Sequence, residues 1–355
     1  MAQNSQPEER KVLVLQGGGA LGAYQAGAFE ALTDARHYPD WLAGISIGAI
    51  NAAVIAGNSP DRCLSKLRGF WDGLTSGLTA EPWDRGAVSR QIFNETAAAM
   101  VITGGVPGFF CPNFSMSAFF GSDGSRVPSV YDTSPLLKTL EEAVDVRSGN
   151  FAYFDSESIR IGPEHIMASG ALPPGFPAVK IDGRDYWDGG LVSNTPLQYV
   201  LENAGDTALC IFQIDLFSAR GATPANLADV AQREKDIRYS SRTRLTTDRF
   251  RQMQAVSAAA GRLFNKLPPD LKNDPDMEFL RGVGTNFPVT LVHLIHRKEG
   301  FEGNSKDYEF SRFSMKEHWA TGKADVEKSL NHKKWKEREL QPGEIQVFDF
   351  GQDKG

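Results

Sequence analysis

The chain has 355 residues, 41% of them hydrophobic and 23% charged, which excludes intrinsic disorder and fibrous repeats as its main organisation. Lysine plus arginine number 38 against 44 aspartates and glutamates, a formal charge of −6, so the basic footprint of a nucleic-acid binder is missing. Three scattered cysteines, Cys63, Cys111 and Cys210, suit neither a disulfide framework nor a zinc site and point to a reducing, cytoplasmic setting.

Taken in chain order, the polar start at residues 1–11 is not followed by the apolar run of a secretory signal. Residues 12–15 (VLVL) form a short apolar run of β type, closed by the glycines at 17–19. From Gly22 the small and apolar residues Ala23, Ala26, Ala28, Phe29 and Leu32 suit a helix. Residues 41–43 read as a second buried strand and 47–55 as a second buried helix. The stretch 41–60 carries no charge and is long enough for a membrane span, but Gly44, Gly48, Asn51 and Gly57 interrupt it. Strand–helix–strand–helix order with continuous apolar strands predicts an α/β fold whose sheet is covered on both faces. Residues 62–74 and 134–144 have the period of amphipathic surface helices, and 208–214 and 289–295 read as further buried strands. The charged stretch 231–263 is expected to be a solvated helix over the core, and the basic residues of 328–338 a solvated last helix.

Three glycine-marked segments carry the chemistry. The first, Gly17-Gly18-Gly19-Ala20-Leu21-Gly22, follows a strand and opens a helix, so bare backbone N–H groups beside a positive helix end make an anion trap. The anion is either a nucleotide phosphate or the oxyanion of acyl transfer. Against a dinucleotide, the acid at the right offset, Asp40, precedes its strand instead of ending it. The second segment, Gly44-Ile45-Ser46-Ile47-Gly48, has the G-x-S-x-G spacing of a nucleophile elbow, with an apolar strand before it and a small-residue helix after it. The third is Asp188-Gly189-Gly190, followed by Asn194-Thr195-Pro196, where an aspartate on a tight loop is free to reach another element as a base.

In order and spacing these segments resemble the patatin-like acyl hydrolases. Residues 165–174 (HIMASGALPP) resemble that family's Ala-Ser-x-Ala-x-Pro segment, and the likeness spans roughly residues 10–215. The resemblance implies a three-layer sandwich with a central, mainly parallel sheet. It implies a catalytic dyad with Ser46 as nucleophile and Asp188 as base, and an oxyanion hole from the N–H groups of Gly17, Gly18 and Gly19. Gly22, Gly44, Gly48, Gly189 and Gly190 support these turns. A carboxylate acting as base at neutral pH is expected to have its pKa raised by burial.

The expected reaction is hydrolysis of lipid or other carboxylic acyl esters through an acyl-enzyme, without metal or cofactor, with peripheral membrane contact during turnover. The competing readings are a Ser-Asp-His triad drawing on His293, His296, His318 or His332, and a nucleotide-binding module built on the glycine loop. His293 lies in an apolar run and His165 at a helix entry, so structural roles are expected for both. The catalytic core is expected over residues 10–220, with 221–355 a helical extension carrying an added strand. Five phenylalanines of 104–124 (Phe109, Phe110, Phe114, Phe119 and Phe120) suit either an acyl pocket or the core of an insertion.

Overall fold

The structure is a computed structural model that describes residues 9–112, 131–132, 143–205, 207–268, 274–282, 287–297, 302–341 and 343–351. Its strands in chain order are β1 (Arg10–Leu15), β2 (Trp41–Gly44), β3 (Cys111–Pro112), β4 (Tyr131–Asp132), β5 (Ala143–Asp145), β6 (Phe151–Ala152), β7 (Val179–Ile181), β8 (Arg184–Asp188), β9 (Leu209–Asp215), β10 (Val289–Ile295) and β11 (Ile345–Phe348). Five of them make a parallel sheet in the order β11-β10-β9-β1-β2. The expected α/β fold is therefore present, and both faces of the sheet are buried.

Side-chain alternation explains the layers. Leu13, Leu15, Cys210, Phe212 and Ile214 face one core, which is covered by α1 (Gly22–Asp34), α2 (Ile47–Ala56), α3 (Cys63–Leu74) and the helix Arg312–Asn331. Val12, Val14, Leu209, Ile211, Val289 and Ile345 face the other, beneath the helix Leu197–Glu202. A smaller antiparallel sheet, β6-β5-β8-β7, stands beside the first and ends with Asp188 on β8.

Residues 221–355 supply two of the five central strands, one more than the sequence suggested, because β11 (IQVF) is too short to stand out. Their helix Arg312–Asn331 crosses α1 so closely that a Cβ on Gly27 would lie 1.8 Å from the Trp319 carbonyl oxygen. One on Gly322 would lie 2.0 Å from that of Tyr24. Glycine is required at both positions for the backbones to meet.

Two further expectations change. The charged stretch forms two helices, Leu227–Tyr239 and Thr243–Phe264, instead of one. The break is held by polar side chains: the Ser241 hydroxyl donates to Asp215, and Thr243 Oγ1 donates to Ser241 Oγ at 2.8 Å. Most of the helix expected over 134–144 lies outside the described residues, and Ala143 and Val144 belong to β5. Among the described residues no helix is long and apolar enough to cross a membrane.

Candidate active site

Register places the site. Leu15 of β1 pairs with Gly44 of β2 and with Ile214 of β9, so the glycine loop and the serine elbow leave the same edge of the sheet. That edge is at the strands' carboxyl ends, and the chain turns to opposite sides of β1 there, which opens a crevice in such sheets.

At the elbow Ser46 has φ 54° and ψ −126°, a strained backbone that lifts its side chain above the sheet. The flanking glycines are required by close approach. A Cβ on Gly44 would meet the Gly48 carbonyl at 2.5 Å, and one on Gly48 would meet the Leu15 oxygen at 2.4 Å. Ser46 precedes the first turn of α2, whose unpaired N–H groups place positive potential at the serine.

Asp188 is 2% exposed and lies in the same pocket as Ser46. Burial pushes its carboxyl from 3.8 up to about 7; a hydrogen bond from the Gly190 N–H and one from the Ser46 side chain pull the other way. The Gly190 bond measures 2.7 Å to Oδ1. Among the described residues no lysine or arginine pairs with Asp188, so desolvation dominates.

One short segment holds both groups. Ser169, fully buried, accepts the Ser46 N–H on its hydroxyl at 2.9 Å, and the Ala171 carbonyl accepts the Asp188 N–H at 3.0 Å. The sequence marked this Ala-Ser-x-Ala run only by resemblance. Its physical job here is to fix the serine and the aspartate relative to one another.

The glycine loop faces the serine. A Cβ on Gly17 would come within 3.1 Å of the Ser46 Cβ. The Gly17 N–H is already given to the Asn194 carbonyl at 3.3 Å, while Asn194 Nδ2 donates to the Gly17 oxygen at 2.9 Å. Among the described residues the N–H groups of Gly18 and Gly19 have no acceptor. Gly19 has φ 54°, and a Cβ there would lie 2.2 Å from the Asp307 carbonyl oxygen. Beneath the loop, Gln16 is wholly buried and its Oε1 accepts the N–H groups of Leu216 (2.6 Å) and Phe217 (2.9 Å). Gln16 and Asp307 escaped the sequence reading, since a lone glutamine and a distant backbone oxygen leave no pattern.

The pocket is a small cleft of about 70 Å³ that opens to solvent. Its walls are aromatic: Phe109, Phe110 and Phe176 come from the first part of the chain, and Tyr239, Tyr308 and Phe310 from the extension. Phe110 and Phe176 pack at 5.2 Å between ring centres. Phe114, Phe119 and Phe120 lie outside the described residues.

None of the six histidines lines this pocket. His293 Nε2 sits 2.5 Å from Asp215, and His296 and His318 both meet Glu302. His165 Nδ1 accepts the Gly162 N–H at 2.9 Å, closing its helix entry. Asp40 lies at the opposite end of the sheet, where it accepts the Lys11 N–H at 2.8 Å.

A family model described as patatin-like phospholipase matches residues 13–201, and one described as patatin phospholipase matches residues 237–341. Among solved structures, VipD from Legionella pneumophila is similar at 12% identity with a TM-score of 0.33, over 87% of this chain and 67% of that one. No curated protein matches the sequence.

Proposed function

Since the chain belongs to the patatin-like phospholipase family, and so to hydrolases of lipid esters, we propose that it cleaves acyl esters with a Ser46–Asp188 dyad through an acyl-enzyme. The observation that carries this reading is the buried, cation-free Asp188 beside a serine on a strained strand-to-helix turn. Asp188 takes the hydroxyl proton as Ser46 Oγ attacks the acyl carbon. The developing oxyanion is met by the N–H groups of Gly18 and Gly19, while Gly17 keeps its bond to Asn194 and serves as a strut. Asp188 then gives its proton to the leaving alcohol. In deacylation it takes one from water, which attacks the acyl-Ser46 carbon, and returns it to Ser46.

A carboxyl with pKa about 7 suits both halves of this cycle, because neither its protonated nor its ionised form is costly at neutral pH. The aromatic walls suit an acyl chain. Residues 10–220 are proposed as the catalytic core, completed by 221–355, which contribute Tyr239, Tyr308 and Phe310 to the pocket. That no histidine lines the pocket favours the dyad over a triad. The position of Asp40, and a glycine loop turned toward Ser46, speak against a nucleotide site.

The test is labelling with a fluorophosphonate probe, together with hydrolysis of p-nitrophenyl esters of increasing chain length. Wild-type labelling that disappears in Ser46→Ala, with turnover lost in both Ser46→Ala and Asp188→Asn, is the expected result. Wild-type hydrolysis rates in Ser46→Ala would sink the proposal.

A further inference from the structure

Away from the pocket, three ionisable side chains converge in the interior: His296 just after β10, Glu302, and His318 on the helix Arg312–Asn331. All three are buried, at 2%, 5% and 7% exposure. His296 Nε2 lies 3.0 Å and His318 Nε2 3.1 Å from the same carboxylate oxygen, Oε1 of Glu302. One donor atom from each residue fits within a 4.8 Å span. In a tetrahedral zinc site with bonds near 2.0 Å, ligand atoms stand about 3.3 Å apart, so the two imidazole–carboxylate separations are already close and the 4.8 Å span has to contract by about 1.5 Å at most.

Both Nε2 atoms bond Glu302, and each imidazole has its second nitrogen left over. Nδ1 of His296 and Nδ1 of His318 are both buried with no hydrogen-bond partner. Among the described residues Glu302 pairs with these two imidazoles alone. Nearby Lys306 is committed to Asp236 at 2.9 Å. A cavity of about 10 Å³, room for roughly one water, adjoins Glu302 and His318 and is bordered by the second buried carboxyl, Glu309.

We propose that His296, Glu302 and His318 bind one zinc ion, with a water in the adjoining cavity as fourth ligand. Two imidazole nitrogens, one carboxylate oxygen and a closed, buried position suit that ion. Its role is structural. It ties the segment after Glu302, whose Asp307, Tyr308 and Phe310 border the ester pocket, to the end of β10 and to the helix Arg312–Asn331. Sequence spacing hid the set, because the ligands stand 6 and 16 residues apart and only the fold gathers them.

The experiment uses the untagged full-length chain, measured for metal by mass spectrometry, stripped with EDTA and titrated with Zn²⁺ alone. One zinc per chain is expected, with a melting temperature about 4 °C higher at a hundredfold excess over Kd than in EDTA. Glu302→Gln and His318→Gln keep polar groups in place and should bind zinc at least a hundredfold more weakly, with no zinc-dependent shift. Should either variant fail to fold, X-ray absorption on the zinc-loaded wild type decides: a shell of nitrogen and oxygen at about 2.0 Å with imidazole scattering is required. Sulfur neighbours would assign the ion to cysteines and overturn the proposal. So would a zinc-free wild type with an unmoved melting temperature, or equal zinc affinity in Glu302→Gln.

Discussion

Two of the aspartates that end strands of this fold are almost fully buried: Asp188 on β8 at 2% exposure and Asp215 on β9 at 1%. Their surroundings differ. Asp215 is surrounded by donors, with Gln213 Nε2 at 2.9 Å, the Ser241 hydroxyl and His293 Nε2 all directed at its carboxylate. Asp188 has the Gly190 N–H and the Ser46 side chain, and burial drives its carboxyl up to about 7. A saturated buried carboxylate is a tie between elements; here it anchors the break between the helices Leu227–Tyr239 and Thr243–Phe264 to the sheet. An under-solvated one beside a serine hydroxyl fits the proposed role of a base.

The largest expected effect is that of Ser46→Ala, which removes the proposed nucleophile and should lower kcat by at least about 10⁴, with probe labelling abolished. Asp188→Asn should cost about 10³–10⁴ in kcat while the serine stays in place. The same variant has a second signature. The folded-state pKa of Asp188 is raised, so its contribution to stability is present below pH 3.8 and is lost as pH rises toward about 7. Asp188→Asn should therefore be more stable than wild type at pH 8, on the order of a few kcal/mol, and should lose that advantage at pH 4. Thermal melts at the two pH values check this.

Smaller changes sharpen the contrast. Gly19→Ala sets a Cβ against the Asp307 carbonyl, and displacing one proposed oxyanion donor should lower kcat by about 10² with a modest change in KM. For the wild type, kcat/KM should rise about tenfold per pH unit below pH 7 and level off above it, as the carboxylate ionises. A flat profile between pH 5 and 8 would separate Asp188 from the chemistry. Asp215→Asn should leave kcat within about threefold of wild type, yet cost roughly 1–3 kcal/mol of stability as the donors around it lose a carboxylate oxygen. Steady-state kinetics and chemical denaturation of that one variant read both halves of the comparison.

Where local chemistry is self-contained, the sequence was sufficient. The apolar runs at 12–15, 208–214 and most of 289–295 are strands buried on both faces, and continuous hydrophobicity records that directly, while 41–43 form a partly buried edge strand. The strand-to-helix turn at Ser46 needs glycines on both sides for backbone clearance, and the spacing says so. Where an element draws its stability from distant partners, the sequence was silent or misleading. β11 exists because β10 offers an open edge, and the helix break near Ser241 exists because Asp215 accepts from it.

The linear order of residues thus determined the α/β class, the elbow, the glycine loop and the aspartate that faces them, since each is a local rule about turns and buried strands. Tertiary structure alone decided which glycine amides remain unpaired, how Ser169 and Ala171 couple the serine to the aspartate, and which aromatic rings from the extension wall the pocket. It also decided that Asp188 loses its water while Asp215 gains donors. Desolvation and hydrogen bonding depend on what packs nearby, and packing joins residues that sequence separation keeps apart.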